Sequence, residues 1–173
     1  MTIDERKSNF YFIRDIPYKI QLRPEDQDYC CSTKAVMLGK LLNALGIQTR
    51  FILCQFDWFS TLIPKSILDL SHETLVTHMF LDVYIPETSQ WVYCDPTWDI
   101  DLRKVGFRIE EWDGLNATGL AVEPLQIYSA EESADLIKEY ADPDRIKKSL
   151  AIQKAFYSKL NNWLAEQRLS YTD

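Results

Sequence analysis

Apolar residues in the first third of the chain recur at the spacing of an α-helix. They fall at i, i+4, i+7, i+11 and i+14, and they are Cys31, Ala35, Leu38, Leu42 and Leu45. This spacing predicts a helix with one buried face. Gly46 is expected to end that helix, because glycine adopts a left-handed conformation without a Cβ clash. Residues 51–54 are short and apolar, which predicts an inner β-strand.

Alternation replaces the helical spacing in residues 77–85, where apolar side chains occupy every second position. This pattern is typical of a strand with one buried face. A short loop leads to a second extended segment, residues 91–95. The two segments together predict an antiparallel hairpin.

The expected pairing of this hairpin places a histidine beside an aspartate. If Tyr84 lies opposite Trp91, then Asp95 lies opposite Phe80. His78 and Asp95 are then diagonal neighbours on one face of the sheet. A loop shorter by one pair would set them directly opposite each other, and both registers keep the two side chains on the same face.

Other segments before and between these elements are expected to pack around them. Residues 1–14 predict a short helix, and residues 57–74 predict either a short packed helix or a loop that shapes a cleft. Asp28 ends a polar loop just before the cysteine-bearing helix, and we expect it to be the N-cap of that helix.

The C-terminal part of the chain predicts mainly helices. Residues 108–112 suggest a further edge strand, followed by a turn. Residues 130–140 predict a helix, with Ser129 as its N-cap and Glu132 completing a capping box. An Asp-Pro pair then begins a long amphipathic helix over residues 144–168.

Composition and charge narrow the class of protein. With 173 residues, 46% of them hydrophobic and 13% aromatic, the chain is expected to fold as one domain with a genuine core. The net charge of −7 disfavours nucleic-acid and anionic-membrane partners. The charged N-terminus does not resemble a signal peptide, and no apolar run has the length of a membrane span. We therefore expect a soluble, cytoplasmic protein.

The four cysteines show no disulfide framework. Cys54 and Cys94 are expected in the core, and the neighbours Cys30 and Cys31 are poorly placed to bridge each other. Cys31 lies at a helix start, in line with the buried stripe, where unpaired N–H groups and the helix dipole favour a thiolate. The alternative is that Cys30 and Cys31 are both small buried apolar residues.

Cys31, His78 and Asp95 together supply a nucleophile, a base and a group that orients the base. The thiol must lose its proton to the imidazole, and the carboxylate must hold the imidazole in the tautomer that presents a free nitrogen. We call these three residues the candidate triad. Residue types alone are weak evidence, because most chains contain one of each.

Three segments resemble motifs of the transglutaminase-like superfamily, in the same order. Residues 31–50 resemble its Cys-x-x-Lys helix, which precedes an apolar run ending in Leu-Gly-Ile and a later Arg. Residues 78–84 are similar to its His-x-Trp-x-x-Val strand, with Phe80 in place of the tryptophan, and residues 91–97 to its Trp-x-x-x-Asp-Pro-Thr segment. Residues 12–15 are also similar to its Phe-Val-Arg-Asp entry.

The resemblance implies an α+β, papain-like fold and the candidate triad as catalytic residues. In this fold a helix carrying the cysteine packs on a small antiparallel sheet, and here C-terminal helices would follow. We expect one transglutaminase-like domain over residues 1–173, with the motif-bearing core in residues 10–99 and an extension in residues 100–173. Helix phase and the Cys-x-x-Lys spacing both select Cys31 over Cys30 as the nucleophile.

The expected activity is acyl transfer from a peptide or protein amide through a thioester on Cys31, without a metal or cofactor. Hydrolysis by a peptidase or amidase ranks above protein cross-linking, because water is always present. The alternative is a non-catalytic interaction domain that keeps the fold. The backbone N–H of Cys31 is the expected oxyanion donor, and Gln21 and Gln27 are the candidates for a second donor.

Four other polar residues are expected to be structural. Lys34 is expected on the helix surface, although it could add positive charge near the thiol. His72 is expected in an exposed loop, because no second ligand stands at metal-binding spacing. Asp99 and Asp101 lack the surrounding oxygen ligands of a cation-binding loop.

Overall fold

The structure is a computed structural model that describes residues 2–169 of the chain. It has five α-helices among these residues, namely α1 (Ile3–Arg14), α2 (Cys31–Ala44), α3 (Lys65–Leu68), α4 (Ala130–Tyr140) and α5 (Pro143–Leu169). The strands are β1 (Thr49–Asp57), β2 (Leu75–Ile85), β3 (Gln90–Cys94) and β4 (Gln126–Ile127). Short 3-10 helices cover Trp58–Ser60 and Ile100–Val105. The protein therefore has an α+β architecture, as predicted.

The strands form one antiparallel sheet in the order β3-β2-β1-β4. β1 is an inner strand, as expected, and it is longer at both ends than residues 51–54 suggested. In the β2–β3 hairpin Tyr84 lies opposite Trp91, which confirms the predicted register. The position of every side chain along this hairpin follows from that one pair.

The two faces of the sheet are covered by different helices. One face packs against α2 and α1, and its buried side chains include Leu81, Val83, Ile85 and Cys94. The other face packs against α5, and its buried side chains include Ile52, Cys54, Phe56 and Phe80. Each large apolar side chain buried in this way contributes about 1.5–3 kcal/mol. Helix α5, from the C-terminal part of the chain, is therefore part of the core.

Helix α2 ends where the sequence predicts. Gly46 has φ +82°, and the N–H groups of Gly46 and Ile47 donate to the carbonyls of Asn43 and Leu42 at 2.9 and 3.0 Å. These two hydrogen bonds satisfy carbonyl groups at the helix end and form a Schellman motif. The turn directs the chain from α2 back into β1.

The predicted caps of the two C-terminal helices are present. The Glu132 N–H donates to the Ser129 hydroxyl at 3.2 Å, and the Ser129 N–H donates to the Glu132 carboxylate at 2.8 Å. At the start of α5 the Asp142 carboxylate accepts from the N–H groups of Asp144 and Arg145. Both helices begin at these caps because the side-chain oxygens satisfy N–H groups that have no partner within the helix.

The connection between β1 and β2 contains short helices packed on the body of the protein, which is one of the two alternatives that the sequence left open. It begins with the 3-10 helix at residues 58–60 and continues through a loop into α3. Trp58, Ile67 and Leu68 are buried in the same apolar cluster as α5. These side chains pack the connection onto the body of the protein.

The prediction of an edge strand at residues 108–112 is wrong. This segment pairs with no strand among residues 2–169, and side chains of α1 hold its backbone instead. Arg14 donates to the Glu110 carbonyl at 3.1 Å, and the Tyr11 hydroxyl donates to the Trp112 carbonyl at 3.1 Å. The fourth strand is β4, whose two residues are too few to show any alternation.

Candidate active site

His78 and Asp95 form a buried hydrogen-bonded pair. His78 Nε2 lies 2.7 Å from Asp95 Oδ2, and the two residues are 2% and 1% exposed. His78 projects from β2, and Asp95 directly follows β3. They meet because the hairpin register sets them diagonally on one face of the sheet, as the sequence predicts.

The Asp95 carboxylate is held at both oxygens. Oδ1 accepts from the Thr97 N–H at 3.1 Å and from its hydroxyl at 2.6 Å, and Oδ2 accepts from the Ala121 N–H at 2.8 Å. Burial opposes ionisation, but the charge of the His78 ring and these hydrogen bonds hold the pKa of Asp95 below its ordinary value. The carboxylate is therefore ionised at neutral pH.

An ionised Asp95 fixes the tautomer of the histidine. The carboxylate only accepts, so His78 Nε2 carries the proton and Nδ1 is the free, basic nitrogen of the neutral ring. Phe80 stacks at a ring-centroid distance of 6.1 Å, and Phe56 meets the ring edge-on at 6.2 Å. The imidazole is thus held in one plane, with a known nitrogen free to take a proton.

Cys31 is the first residue of α2 and is half-buried. β3 ends at Cys94, opposite Leu81, and β2 continues past this end. The Cys31 thiol lies beside the open edge of β2, where the Met79 N–H donates to it and lowers its pKa. The structure therefore places the thiol next to the peptide group that joins Met79 to His78.

The structure contains one of the two contacts that the candidate triad requires. His78 and Asp95 are hydrogen-bonded to each other. In the described part of the chain, residues 2–169, no hydrogen bond joins the Cys31 thiol to the His78 ring. In proteins without bound substrate such a contact is commonly long or poorly aligned. Proton transfer from the sulfur to the imidazole would require the two groups to move into hydrogen-bond contact.

The pKa of Cys31 is opposite in direction to the sequence prediction. A hydrogen bond to Cys30, burial and repulsion from a charge on Cys30 raise the pKa of Cys31 well above its ordinary value. The same contact lowers the pKa of Cys30, although burial and the Asp28 carboxylate act the other way. The helix dipole does not dominate because two thiols in contact with each other do not both ionise readily.

The prediction that Asp28 is the N-cap of α2 is wrong, because Cys30 occupies that position. The Asp28 carboxylate accepts from the Gln21 N–H at 3.1 Å, from the Cys30 thiol at 3.0 Å and from the Thr33 hydroxyl. Asp28 thus links the loop before α2 to the first turn of the helix. The negative charge of Asp28 also lies against the thiol of Cys30, which the sequence does not favour as the nucleophile.

A tyrosine that the sequence did not single out lies close to both thiols. Tyr18 is 4% exposed. Burial, and then the neighbouring charges of Cys31 and Cys30, raise the pKa of Tyr18 well above its ordinary value. Its hydroxyl therefore stays protonated at neutral pH. A short extended segment pairs with the entry to α2 through Lys19 and Tyr29, and this pairing brings Tyr18 to the site.

Neither glutamine proposed as an oxyanion donor bonds to the candidate triad within the described part of the chain. The Gln27 side chain is exposed and donates to the Tyr29 hydroxyl. Gln21 is held through its backbone N–H by Asp28. The Cys31 N–H, in the first turn of α2, remains the expected donor.

The expectation that Lys34 lies on the helix surface is wrong. Lys34 is fully buried, and its Nζ donates to the carbonyl oxygens of Arg14 at 2.7 Å and Thr97 at 2.8 Å. Burial lowers the pKa of Lys34 to about 7. The apolar stripe of α2 does not reveal this burial, because Lys34 is covered by chain segments that are distant in the sequence.

Asp99 has a structural partner. Its carboxylate accepts from the Tyr18 N–H at 2.9 Å and from the Arg168 guanidinium at 2.7 and 3.0 Å. This ion pair ties the end of α5 to the segment that carries Tyr18. Over residues 2–169 no group of three or more side chains is arranged to hold a metal ion, and no helix is long and apolar enough to cross a membrane.

Comparison with known proteins finds no match to a family model, a curated protein or a solved structure.

Proposed function

We propose that this protein is a cysteine-dependent acyl-transfer enzyme with a papain-like fold of the transglutaminase-like superfamily. Its nucleophile is Cys31, its base is His78, and Asp95 orients the base. The observation that carries the proposal is the buried His78–Asp95 pair, which lies beside a thiol at the start of a helix. The substrate is a peptide or protein amide.

The first half of the reaction forms a thioester. His78 Nδ1 takes the proton of the Cys31 thiol, and the sulfur attacks the carbonyl carbon of the amide. Because the pKa of Cys31 is raised, the thiolate forms together with the imidazolium and not in advance of it. The Cys31 N–H stabilises the oxyanion. The imidazolium then protonates the departing amine, and the carbon–nitrogen bond breaks.

The second half of the reaction releases the acyl group to water. His78 takes a proton from a water molecule, whose oxygen attacks the thioester carbonyl, and the carbon–sulfur bond breaks. The proton returns to the Cys31 sulfur, and the acid product leaves. Asp95 stays ionised throughout and stabilises the imidazolium that forms in each half.

Hydrolysis is favoured over transfer to a second amine because water needs no site of its own. A protein cross-linker must exclude water and admit a lysine side chain. Peptidase or amidase activity is therefore the form of acyl transfer that we propose.

A library of peptides in oxygen-18 water tests this function. Wild-type protein is expected to cleave amide bonds and to place one oxygen-18 atom in each new carboxyl group, and Cys31→Ala to cleave none. Added cadaverine separates the two outcomes of acyl transfer, because transamidation would give amine adducts in place of labelled acids. Equal cleavage by wild type and Cys31→Ala would rule out Cys31 as the nucleophile.

A non-catalytic interaction domain is the second candidate. The observation in its favour is the raised pKa of Cys31, which results from the hydrogen bond to Cys30 and from burial. Such a protein would keep the His78–Asp95 pair as a structural contact. Thiol labelling at several pH values distinguishes the two candidates.

A further inference from the structure

A buried lysine lies one helical turn after the proposed nucleophile. Lys34 follows Cys31 in α2 at the spacing that brings successive turns together. Its Nζ donates at 2.7 Å to the carbonyl of Arg14, at the end of α1, and at 2.8 Å to the carbonyl of Thr97. A single side chain therefore joins three separate segments of the protein.

One of these segments carries the carboxylate of the site. Thr97 donates to Asp95 Oδ1 through its N–H and its hydroxyl, at 3.1 and 2.6 Å. Asp95 Oδ2 in turn lies 2.7 Å from His78 Nε2. A continuous path of hydrogen bonds thus runs from Lys34 through Thr97 and Asp95 to the imidazole.

We propose that Lys34 is a positioning residue that holds the Thr97 carbonyl and, through it, the Asp95 carboxylate that orients His78. Because Lys34 belongs to the helix that begins at Cys31, it fixes the distance between the thiol and the loop that carries the carboxylate. This inference rests on the proposed function for its catalytic meaning. The positioning itself is measurable without any substrate.

The chemistry of the position supports a role beyond filling space. A buried amine is costly unless it is hydrogen-bonded, and a methionine of similar length would pack without that cost. Lys34 places donors on two carbonyls that lie on different segments, which an apolar side chain cannot do. The charged groups that face it are Asp99, Arg168, Asp15 and Asp95.

Imidazole NMR tests the inference directly. The chain has two histidines, so a His72→Gln background leaves His78 as the one signal in a sample labelled with nitrogen-15 at histidine. With Lys34 present we expect a neutral ring protonated at Nε2, with that proton shifted downfield by Asp95. With Lys34→Met we expect both tautomers and loss of the downfield proton to exchange with water.

Alkylation of Cys31 by iodoacetamide provides a second readout. We expect Lys34→Met to slow this alkylation by about tenfold at pH 7, because a His78 ring that is no longer held in place takes the Cys31 proton less effectively. The matched control is Lys40→Met, the same substitution at an exposed position of the same helix. The control is expected to leave both the NMR signature and the alkylation rate unchanged.

The outcomes separate this inference from the proposed function. A folded Lys34→Met protein with the wild-type His78 signature overturns the inference, whatever its reactivity. If all four thiols of the wild type react slowly and equally, the proposed function fails, and the NMR signature alone decides whether Lys34 positions the pair.

Wild-type protein provides the test if Lys34→Met does not fold. In a sample labelled at lysine Cε, titration of Lys34 near pH 7 is expected to shift the His78 ring signal in the same step. A His78 ring signal that does not change over the pH range in which Lys34 titrates would contradict the inference.

Discussion

His78 Nε2 lies 2.7 Å from Asp95 Oδ2 where β2 continues past the last residue of β3. The contact is therefore diagonal, and the carboxylate reaches the ring from the loop that follows the strand. The Asp95 carboxylate accepts hydrogen bonds from the N–H groups of Thr97 and Ala121, which leave it little freedom to turn. The orientation of the base depends on these few hydrogen bonds.

Asp95→Asn should reduce amide cleavage far more than it reduces the stability of the fold. In wild type the N–H groups of Thr97 and Ala121 donate to the Asp95 carboxylate. An asparagine would place an amide group there, and it would no longer select the Nε2–H tautomer of His78. We expect amide cleavage to fall by roughly 10³- to 10⁴-fold and the free energy of unfolding to fall by about 1–3 kcal/mol. Peptide cleavage assays and urea unfolding measure the two effects.

Asp82→Asn is the matched control, because Asp82 is a buried carboxylate on β2 that pairs with Arg50 and not with the candidate triad. It should lower stability without an equal loss of cleavage. Equal losses of cleavage in Asp82→Asn and Asp95→Asn would mean that the effect of Asp95 is general destabilisation.

Acid should remove the stability that Asp95 provides. Its pKa is lower in the folded protein than in the unfolded chain, so its contribution is present above the unfolded value of about 3.9 and disappears as the pH falls through the folded value. Urea unfolding of wild type and Asp95→Asn from pH 5 downward measures this. The difference in stability between them should shrink below about pH 4. A difference that stays constant to pH 2.5 would show that the Asp95 pKa is not lowered.

Two serine substitutions should distinguish the half-buried Cys31 from a fully buried core cysteine. Cys31 is half-buried at a helix start, so Cys31→Ser should change the free energy of unfolding by less than about 0.5 kcal/mol. Cys94 is fully buried among apolar side chains, where a hydroxyl without a partner costs about 1–3 kcal/mol. Urea unfolding at pH 7 gives both values. A larger loss for Cys31→Ser than for Cys94→Ser would place Cys31 in the core.

Lys34 should make stability depend on pH in the alkaline range. Its pKa falls from 10.5 to about 7 in the folded protein. The unfolded chain then binds one more proton between these values, and stability decreases as the pH falls through this range. Against Lys34→Met, wild type should lose up to about 1.4 kcal/mol per pH unit between pH 10 and 7. Urea unfolding of both proteins and of Lys40→Met measures this, and parallel curves for wild type and Lys34→Met would contradict it.

The parts of the structure that the sequence predicts are those fixed by local rules. The alternation of residues 77–85 and 91–95 sets the hairpin register, and the register brings His78 to Asp95. The ends of α2 and α4 follow from Gly46 and from the Ser129 capping box, because each is decided within one turn of helix.

The parts that the sequence does not predict depend on contacts between distant segments. The burial of Lys34 needs carbonyls from residues 14 and 97, and neither lies near it in the chain. The raised pKa of Cys31 needs the neighbouring sulfur of Cys30 to turn toward it, which helix phase alone does not indicate. Strand β4 has two residues, too few for a pattern.

The most direct test of the central claim is the rate of iodoacetamide labelling at each cysteine, followed by mass spectrometry against pH. The neighbouring His78 ring can take the Cys31 proton as the sulfur attacks the reagent, so Cys31 should react faster than Cys54 and Cys94, which are buried. Cys30→Ser should speed this reaction further, because the contact that raises the pKa of Cys31 is gone. His78→Ala should slow it by about tenfold or more.

Labelling of Cys31 ahead of Cys54 and Cys94, and its loss in His78→Ala, is the result that we expect. Preferential labelling of Cys30 would keep a reactive thiol at this site but move the nucleophile by one residue. Slow and equal labelling of all four thiols, rising only above about pH 8, would contradict the assignment of Cys31 as a catalytic nucleophile.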